Sequence, residues 1–161
     1  MKLFIKQKIF SFKDKFNVFD ERGEIKYTAE GEILTLGKKL HVRDTVGREV
    51  IFIKQRLLTF LPKYEISVLE NSPVELVKNF TIFRHEYSIP AWDVMIKGDF
   101  LAHEYEVIKN GRKIAHLSKE WLTWGDTYSI NIYDPADELT ALAAILVVDC
   151  CMEVQNNAKN S

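Results

Sequence analysis

The chain has 161 residues, 47% of them hydrophobic and 28% charged, with a net charge of −1. That length and balance describe one domain, residues 1–161, able to bury roughly 70% of its unfolded surface. They exclude a disordered or collagen-like chain and the basic excess typical of nucleic-acid binding.

The predicted elements are mostly strands. Residues 1–15 place Lys2, Lys6, Lys8, Lys13 and Lys15 among Leu3, Phe4, Ile5, Ile9, Phe10 and Phe12, with Asp14 the single acid. This pattern suits a first strand with its lysines toward water, and the same mixture can hold a chain on an anionic membrane surface. Phe16 to Phe19 is extended, Asp20 to Gly23 is a turn, and Glu24 to Thr28 resumes the strand character. Lys39 to Arg43 alternates, with Leu40 and Val42 on one face and Lys39, His41 and Arg43 on the other. A turn with Gly47 follows. Val50 to Ile53 is continuously apolar, which predicts a strand covered on both faces. Leu57 to Leu61 is apolar too and stops at Pro62. Tyr64, Ile66 and Val68 alternate with Glu65 and Ser67, Phe80 and Ile82 with Thr81 and Phe83, and Val94 and Ile96 with Asp93 and Lys97.

Tyr105 to Leu117 is the clearest hairpin. Its centre is Asn110-Gly111, a pair that tolerates positive φ at both positions of a type I′ turn. Tyr128, Ile130 and Ile132 form one more alternating run. Asp134 or Asp137 then caps the single predicted helix, with Asp137 and Glu138 at the positive end of its dipole.

That helix carries Leu139 to Val148, in which Thr140 is the only polar residue. A helix apolar all round must be enclosed by protein or lipid. Ten residues of helix cover about 15 Å, half the ~30 Å core of a bilayer, so the expectation is enclosure by the chain itself and no transmembrane segment. About nine to twelve short strands at regular spacing, then one apolar helix, predict a closed β-barrel filled by that helix. Residues 156–161 are expected to be a frayed tail.

Asp149 ends the apolar run. A buried carboxylate there must be hydrogen-bonded or have a raised pKa, and its expected role is structural, at the mouth of the barrel. Cys150 and Cys151 are adjacent, the wrong geometry for a mutual disulfide. With no disulfide framework and no apolar leader ahead of Lys6, a cytoplasmic location is expected.

Enzyme motifs are absent from the sequence. His85-Glu86 and His103-Glu104 lack the second histidine of a zinc-protease helix, because the matching positions hold Ile89 and Val107. No P-loop, G-x-G-x-x-G or G-x-S-x-G occurs. The expectation is a non-enzyme with no cofactor and no metal.

A set of segments carries a family resemblance. They are Leu36-Gly37-Lys38-Lys39-Leu40-His41-Val42-Arg43-Asp44, Gly47-Arg48-Glu49-Val50, Gly98 to Tyr105, Gly111-Arg112, His116 to Trp121, Trp124 to Tyr128, and the apolar helix running into Asp149. In this order they resemble the LURP-one-related family, which groups with tubby C-terminal-like and phospholipid-scramblase-like proteins. The resemblance implies a mainly β fold, a closed barrel of about twelve strands around a central hydrophobic C-terminal helix. It implies no common catalytic activity. Tubby domains bind phosphoinositide headgroups through basic surface residues, but those positions do not map onto this chain.

The expected function is therefore a non-catalytic binding or scaffold module for anionic lipid headgroups or phosphorylated ligands. The alternative is a protein-interaction module with no lipid role. Lys38, Lys39, His41 and Arg43 are the candidate ligand-binding residues. Asp149, Asn110 and Gly111 are the candidate structural ones. Trp92, Trp121 and Trp124 are expected in the core or at the barrel rim, with no role in stacking on nucleic acid.

Overall fold

A computed structural model of the chain describes residues 1–6, 15–32, 37–57, 63–80, 85–120 and 127–159, excluding the side chains of Phe80, His85 and residues 154–159. The strands are β1 (Lys2–Ile5), β2 (Lys15–Phe19), β3 (Ile25–Glu32), β4 (Lys39–Asp44), β5 (Glu49–Arg56) and β6 (Lys63–Val68). They continue as β7 (Val74–Phe80), β8 (His85–Ile89), β9 (Val94–Asp99), β10 (Glu104–Lys109), β11 (Arg112–Glu120) and β12 (Thr127–Ile132), and the chain ends in helix α1 (Glu138–Lys159).

Each strand pairs with its neighbours in sequence, and β1 pairs with β12, so the sheet is a closed barrel. Every ladder is antiparallel; Lys2 to Ile5 run opposite Asn131 to Tyr128 at the closure. Closure leaves no open sheet edge to template aggregation. The rim where odd-numbered strands begin carries the short turns and the start of α1. The opposite rim carries the longer connections, most of which lie outside the described residues.

Alternation fixes which side chains face inward. Phe16 and Val18, Leu40 and Val42, Tyr64 and Ile66, and Ile130 and Ile132 are all buried, with polar or half-buried residues between most of them. A barrel of about eight strands is filled by its own side chains; twelve enclose a wider lumen that needs a filler. Helix α1 supplies it. Its 22 residues span about 33 Å, and every residue from Ala141 to Met152 is buried. Ala141, Ala143 and Ala144 keep it slim. Leu142, Ile145, Leu146, Val147 and Val148 supply apolar surface worth roughly 1.5–3 kcal/mol each on burial. The helix runs further than its apolar stretch: the backbone from Asn156 to Lys159, expected as a frayed tail, is helical. No helix among the described residues is long and apolar enough to cross a membrane.

Three β-bulges sit at the starts of odd strands. Val18 and Phe19 face Tyr27 and Ile25, so Lys26 is the extra residue. Val42 and Arg43 face Ile51 and Glu49, so Val50 is extra. Val107 and Ile108 face Ala115 and Lys113, so Ile114 is extra. The second corrects the expectation for Val50 to Ile53. That run is not covered on both faces: the bulge turns Val50 inward beside Ile51, while Phe52 faces outward, half-buried against the His41 ring at 4.8 Å. The run from Phe80 to Ile89 also divides between β7 and β8.

Asn110 and Gly111 form the β10–β11 turn with φ of 49° and 71°, both in the left-handed region that a type I′ turn requires. Gly98 answers a different need. With φ at 148°, it faces Tyr105 across the β9–β10 ladder, and a Cβ there would lie 2.4 Å from the Glu104 carbonyl oxygen. Trp92 ends a short 3-10 turn (Pro90–Trp92) and packs half-buried against the core. Trp121 and Trp124 lie outside the described residues.

Two outcomes follow from this packing. Ala144→Asp puts an unpaired charge at a position with no solvent exposure, and the barrel is expected to unfold; a dispersed amide NMR spectrum from this variant would show that the helix is not the core. Gly98→Ala is expected to cost more than the ~1–2 kcal/mol of a left-handed L-residue, because backbone must also shift. Urea melts beside Gly111→Ala, whose added methyl meets nothing within 4 Å, measure the difference.

Candidate functional site

Lys38, Lys39, His41 and Arg43 lie on or just before β4, and each is paired with an acid. Lys38 Nζ meets Glu153 of α1 at 3.2 Å, and Lys39 Nζ meets Glu32 of β3 at 2.9 Å. His41 lies between two carboxylates, with Nε2 2.7 Å from Glu32 and Nδ1 2.6 Å from Glu49. Arg43 reaches Glu30 at 3.4 Å. The residues expected to offer positive charge to a ligand therefore form a neutralised belt across β3, β4 and β5. The reason is register. Glu30 stands opposite His41 and Glu32 opposite Lys39, so the outward acids of β3 lie beside the outward bases of β4.

Asp149 lies near the end of the barrel where β10 begins, beside Tyr105. It is 1% exposed, and its Oδ1 accepts a hydrogen bond of 2.8 Å from the Tyr105 hydroxyl. Its Oδ2 is buried with no hydrogen-bond partner among the described residues. Burial pushes its pKa up to about 8, against a smaller lowering by the Tyr105 hydrogen bond. The Tyr105 phenol is raised as well, by burial first and then by Asp149. Close by, the Tyr64 hydroxyl donates to the Cys150 carbonyl at 3.1 Å, and burial raises the Cys150 thiol. Phe100 completes this aromatic lining, with its ring 5.1 Å from both Tyr87 and Tyr105. Both cysteines are free and buried.

The helix is tied at its other end too. Asp134 caps the 3-10 turn (Pro135–Asp137) ahead of α1 by accepting from the Ala136 amide at 2.9 Å. Asp137, 5% exposed, is held by Lys109 at 2.9 Å and Arg112 at 3.0 Å. These two cations flank the Asn110-Gly111 turn, which therefore fixes where they meet Asp137. Glu138 takes Lys26 at 2.6 Å and the Tyr27 hydroxyl at 2.9 Å. Lys26, the extra residue of its bulge, is thus aimed at the helix start.

Positive charge without a carboxylate partner among the described residues lies elsewhere. Lys6, Lys15, Phe16, Asn17 and Phe19 line an open cleft of about 180 Å³ beside the end of the β1–β2 ladder. Lys6 Nζ sits 4.8 Å from the centre of the Phe19 ring. The sequence shows the lysines but not the cleft, because a strand pattern assigns a face and not the gap beside it. No group of acids, histidines and cysteines among the described residues could hold a metal ion.

The outward-facing charges, the filled interior and the closed sheet define a helix-plugged twelve-stranded barrel whose surface chemistry lies on its outer wall and rims. The chain belongs to the LURP-one-related family, whose model matches residues 1–149. It is 34% identical over 149 residues to the uncharacterized protein YxjI of Bacillus subtilis (strain 168), covering 92% of each chain. Its fold is similar to that of a protein from Arabidopsis thaliana solved by X-ray crystallography, with a TM-score of 0.65 at 11% identity over 92% of this chain and 90% of that one.

Asp149 makes stability depend on pH. Its folded pKa of about 8 lies above the ordinary 3.8, so between those values the folded state keeps a proton that the unfolded chain has lost. Stability is then expected to fall as pH rises through that window, by at most about 1.4 kcal/mol per unit, and to level off above it. Asp149→Asn should remove this slope and be the more stable protein at pH 9. Denaturant melts from pH 5 to 9 check this, and parallel slopes for the two proteins would rule out Asp149 as the source.

Proposed function

We propose that this chain is a non-catalytic binding or scaffold module that recognises an anionic group, either a lipid headgroup or a phosphorylated small molecule. The observation that carries this reading is the β1–β2 cleft, where two lysines without carboxylate partners among the described residues stand beside an amide and an aromatic ring. The rest of the barrel narrows the choice. Its own helix occupies the interior, where a deep catalytic pocket would otherwise lie. The closed sheet offers no edge for a partner strand. Recognition therefore falls to the outer wall and rims. The likeness to tubby-type barrels points the same way, as fold-level analogy only. Two free, buried cysteines suit a reducing, cytoplasmic setting.

One observation favours a protein partner as a second reading. Val77 and Met95 stand on either side of Ser88 on the outer wall, and both are more than a third exposed.

Co-sedimentation with vesicles separates the two. Vesicles of phosphatidylcholine containing an anionic lipid are expected to bind the protein, and neutral vesicles are not. Raising the salt from 0.1 to 1 M shortens the screening length from about 10 to about 3 Å and should release it. Equal binding to both kinds of vesicle would count against an anionic ligand, and binding to neither would rule out the lipid headgroup and restrict the ligand to a soluble phosphorylated molecule.

A further inference from the structure

We propose that the β1–β2 cleft is a phosphate-binding site that takes one phosphate group carried on a small organic body. This rests on the reading of the chain as a module for anionic ligands and gives that reading a place and a chemistry.

The site arises from the way the barrel closes. β1 and β2 share only two register pairs, Phe4 with Phe19 and Ile5 with Val18. Among the described residues the ladder ends at Ile5, and Lys6 is not part of a strand. Phe16 and Val18 point inward and are buried, which sends Lys15, Asn17 and Phe19 to the outer wall. Leu3 and Ile5 are likewise buried, which puts Lys6, next after Ile5, on the outer side.

Two of the three polar side chains in the cleft are positioned by contacts. The Phe19 ring face attracts the Lys6 ammonium, a cation–π contact that favours one arrangement of a long side chain. The Thr28 hydroxyl donates to Asn17 Oδ1 at 3.1 Å, which directs the Asn17 NH2 away from β3 as a donor. Glu30 stands opposite Lys15 on β3, but its carboxylate is engaged by Arg43 at 3.4 Å. Two lysines and one amide side chain thus line one opening.

Charge and size select the ligand. A phosphate monoester carries about −1.5 to −2 charges at neutral pH and three acceptor oxygens, matching two cations and three donor groups. A carboxylate brings one charge and two oxygens. Lysine binds phosphate as a point charge and does not require the planar fork of arginine. The cleft volume of about 180 Å³ is below the ~300–1,000 Å³ of sites that enclose drug-sized molecules. It therefore fits a headgroup or a small phosphorylated metabolite, with the Phe19 ring against the apolar part.

The test is an NMR titration of the full chain with inorganic phosphate and with glycerol 3-phosphate, beside co-sedimentation with phosphatidylcholine vesicles containing phosphatidic acid. Saturable shifts centred on the Lys15, Asn17 and Phe19 amides are expected. Lys6→Gln/Lys15→Gln should weaken binding at least tenfold, with an unchanged thermal midpoint. Lys54→Gln/Lys63→Gln, which removes the same charge elsewhere, should leave binding intact. Shifts with the soluble ester support the site with a free metabolite as its source. Binding of vesicles alone, lost in the Lys6→Gln/Lys15→Gln variant, supports it with a lipid headgroup. Shifts centred elsewhere, or full binding by the Lys6/Lys15 variant, overturn the site. If that variant still binds anionic vesicles, the broader reading survives; if the wild type binds none of the probes, both fall.

Discussion

A helix with no polar stripe over Leu139 to Val148 has to be surrounded on all sides, and the rest of the molecule is the surround. Twelve strands enclose it, and their inward positions are correspondingly apolar from Leu3 to Ile132. Apolar contact alone leaves a cylinder free to slide and turn inside a barrel. Directional ties at both ends prevent this. At the start of α1, Asp137 and Glu138 are held by Lys109, Arg112, Lys26 and Tyr27. Toward its end, Tyr64, Tyr105 and Lys38 hold Cys150, Asp149 and Glu153. The helix therefore has one depth and one rotation, and the polar ties supply the specificity that the apolar surface lacks.

Much of this was legible in the residues. Period-two alternation marks β2, β4, β6, β9 and β12, and Asn110-Gly111 marks the tightest hairpin. The missing polar face of the helix marks the interior. The bulges were not legible, because Val50-Ile51 and Ile114-Ala115 are consecutive apolar pairs, which look the same whether both faces are covered or one residue is inserted. Nor was the partner of Asp149: Tyr105 is 44 residues away, and no local signal selects it from the other tyrosines. The belt around His41 failed for a related reason. Alternation places Lys39, His41 and Arg43 on one face, but only the register with β3 and β5 shows that Glu30, Glu32 and Glu49 share it.

Topology also explains how the charge is distributed. Residues 1–80 carry a net +4 and residues 81–161 a net −5, from 15 bases against 11 acids and 7 against 12. A barrel in which strands pair with their chain neighbours keeps the strands of these halves apart, and α1 joins the halves through Glu138–Lys26 and Glu153–Lys38. Strands β1 to β7 form one continuous arc and β8 to β12 the other, meeting at β7–β8 and at β1–β12. Acids and bases cancel locally within the basic arc, as around β4. The excess gathers where acids are scarce, and that is the first two strands beside the closure.

The order of elements has a consequence for how the protein comes into being. A nascent chain grows from its N-terminus, and here the element that everything else packs against is made after all twelve strands. A chain that has emerged only as far as Ile132 has all its hairpins, joined by short-range ladders that form readily. It has nothing to close around, and its inward faces of leucine, isoleucine, valine and tyrosine remain wet. Acquisition of a core is thereby delayed until α1 appears, so that closure of β1 on β12 and entry of the helix form a single late event. Such a chain needs protection from its neighbours for as long as its strands wait for the helix, and very little once α1 has entered.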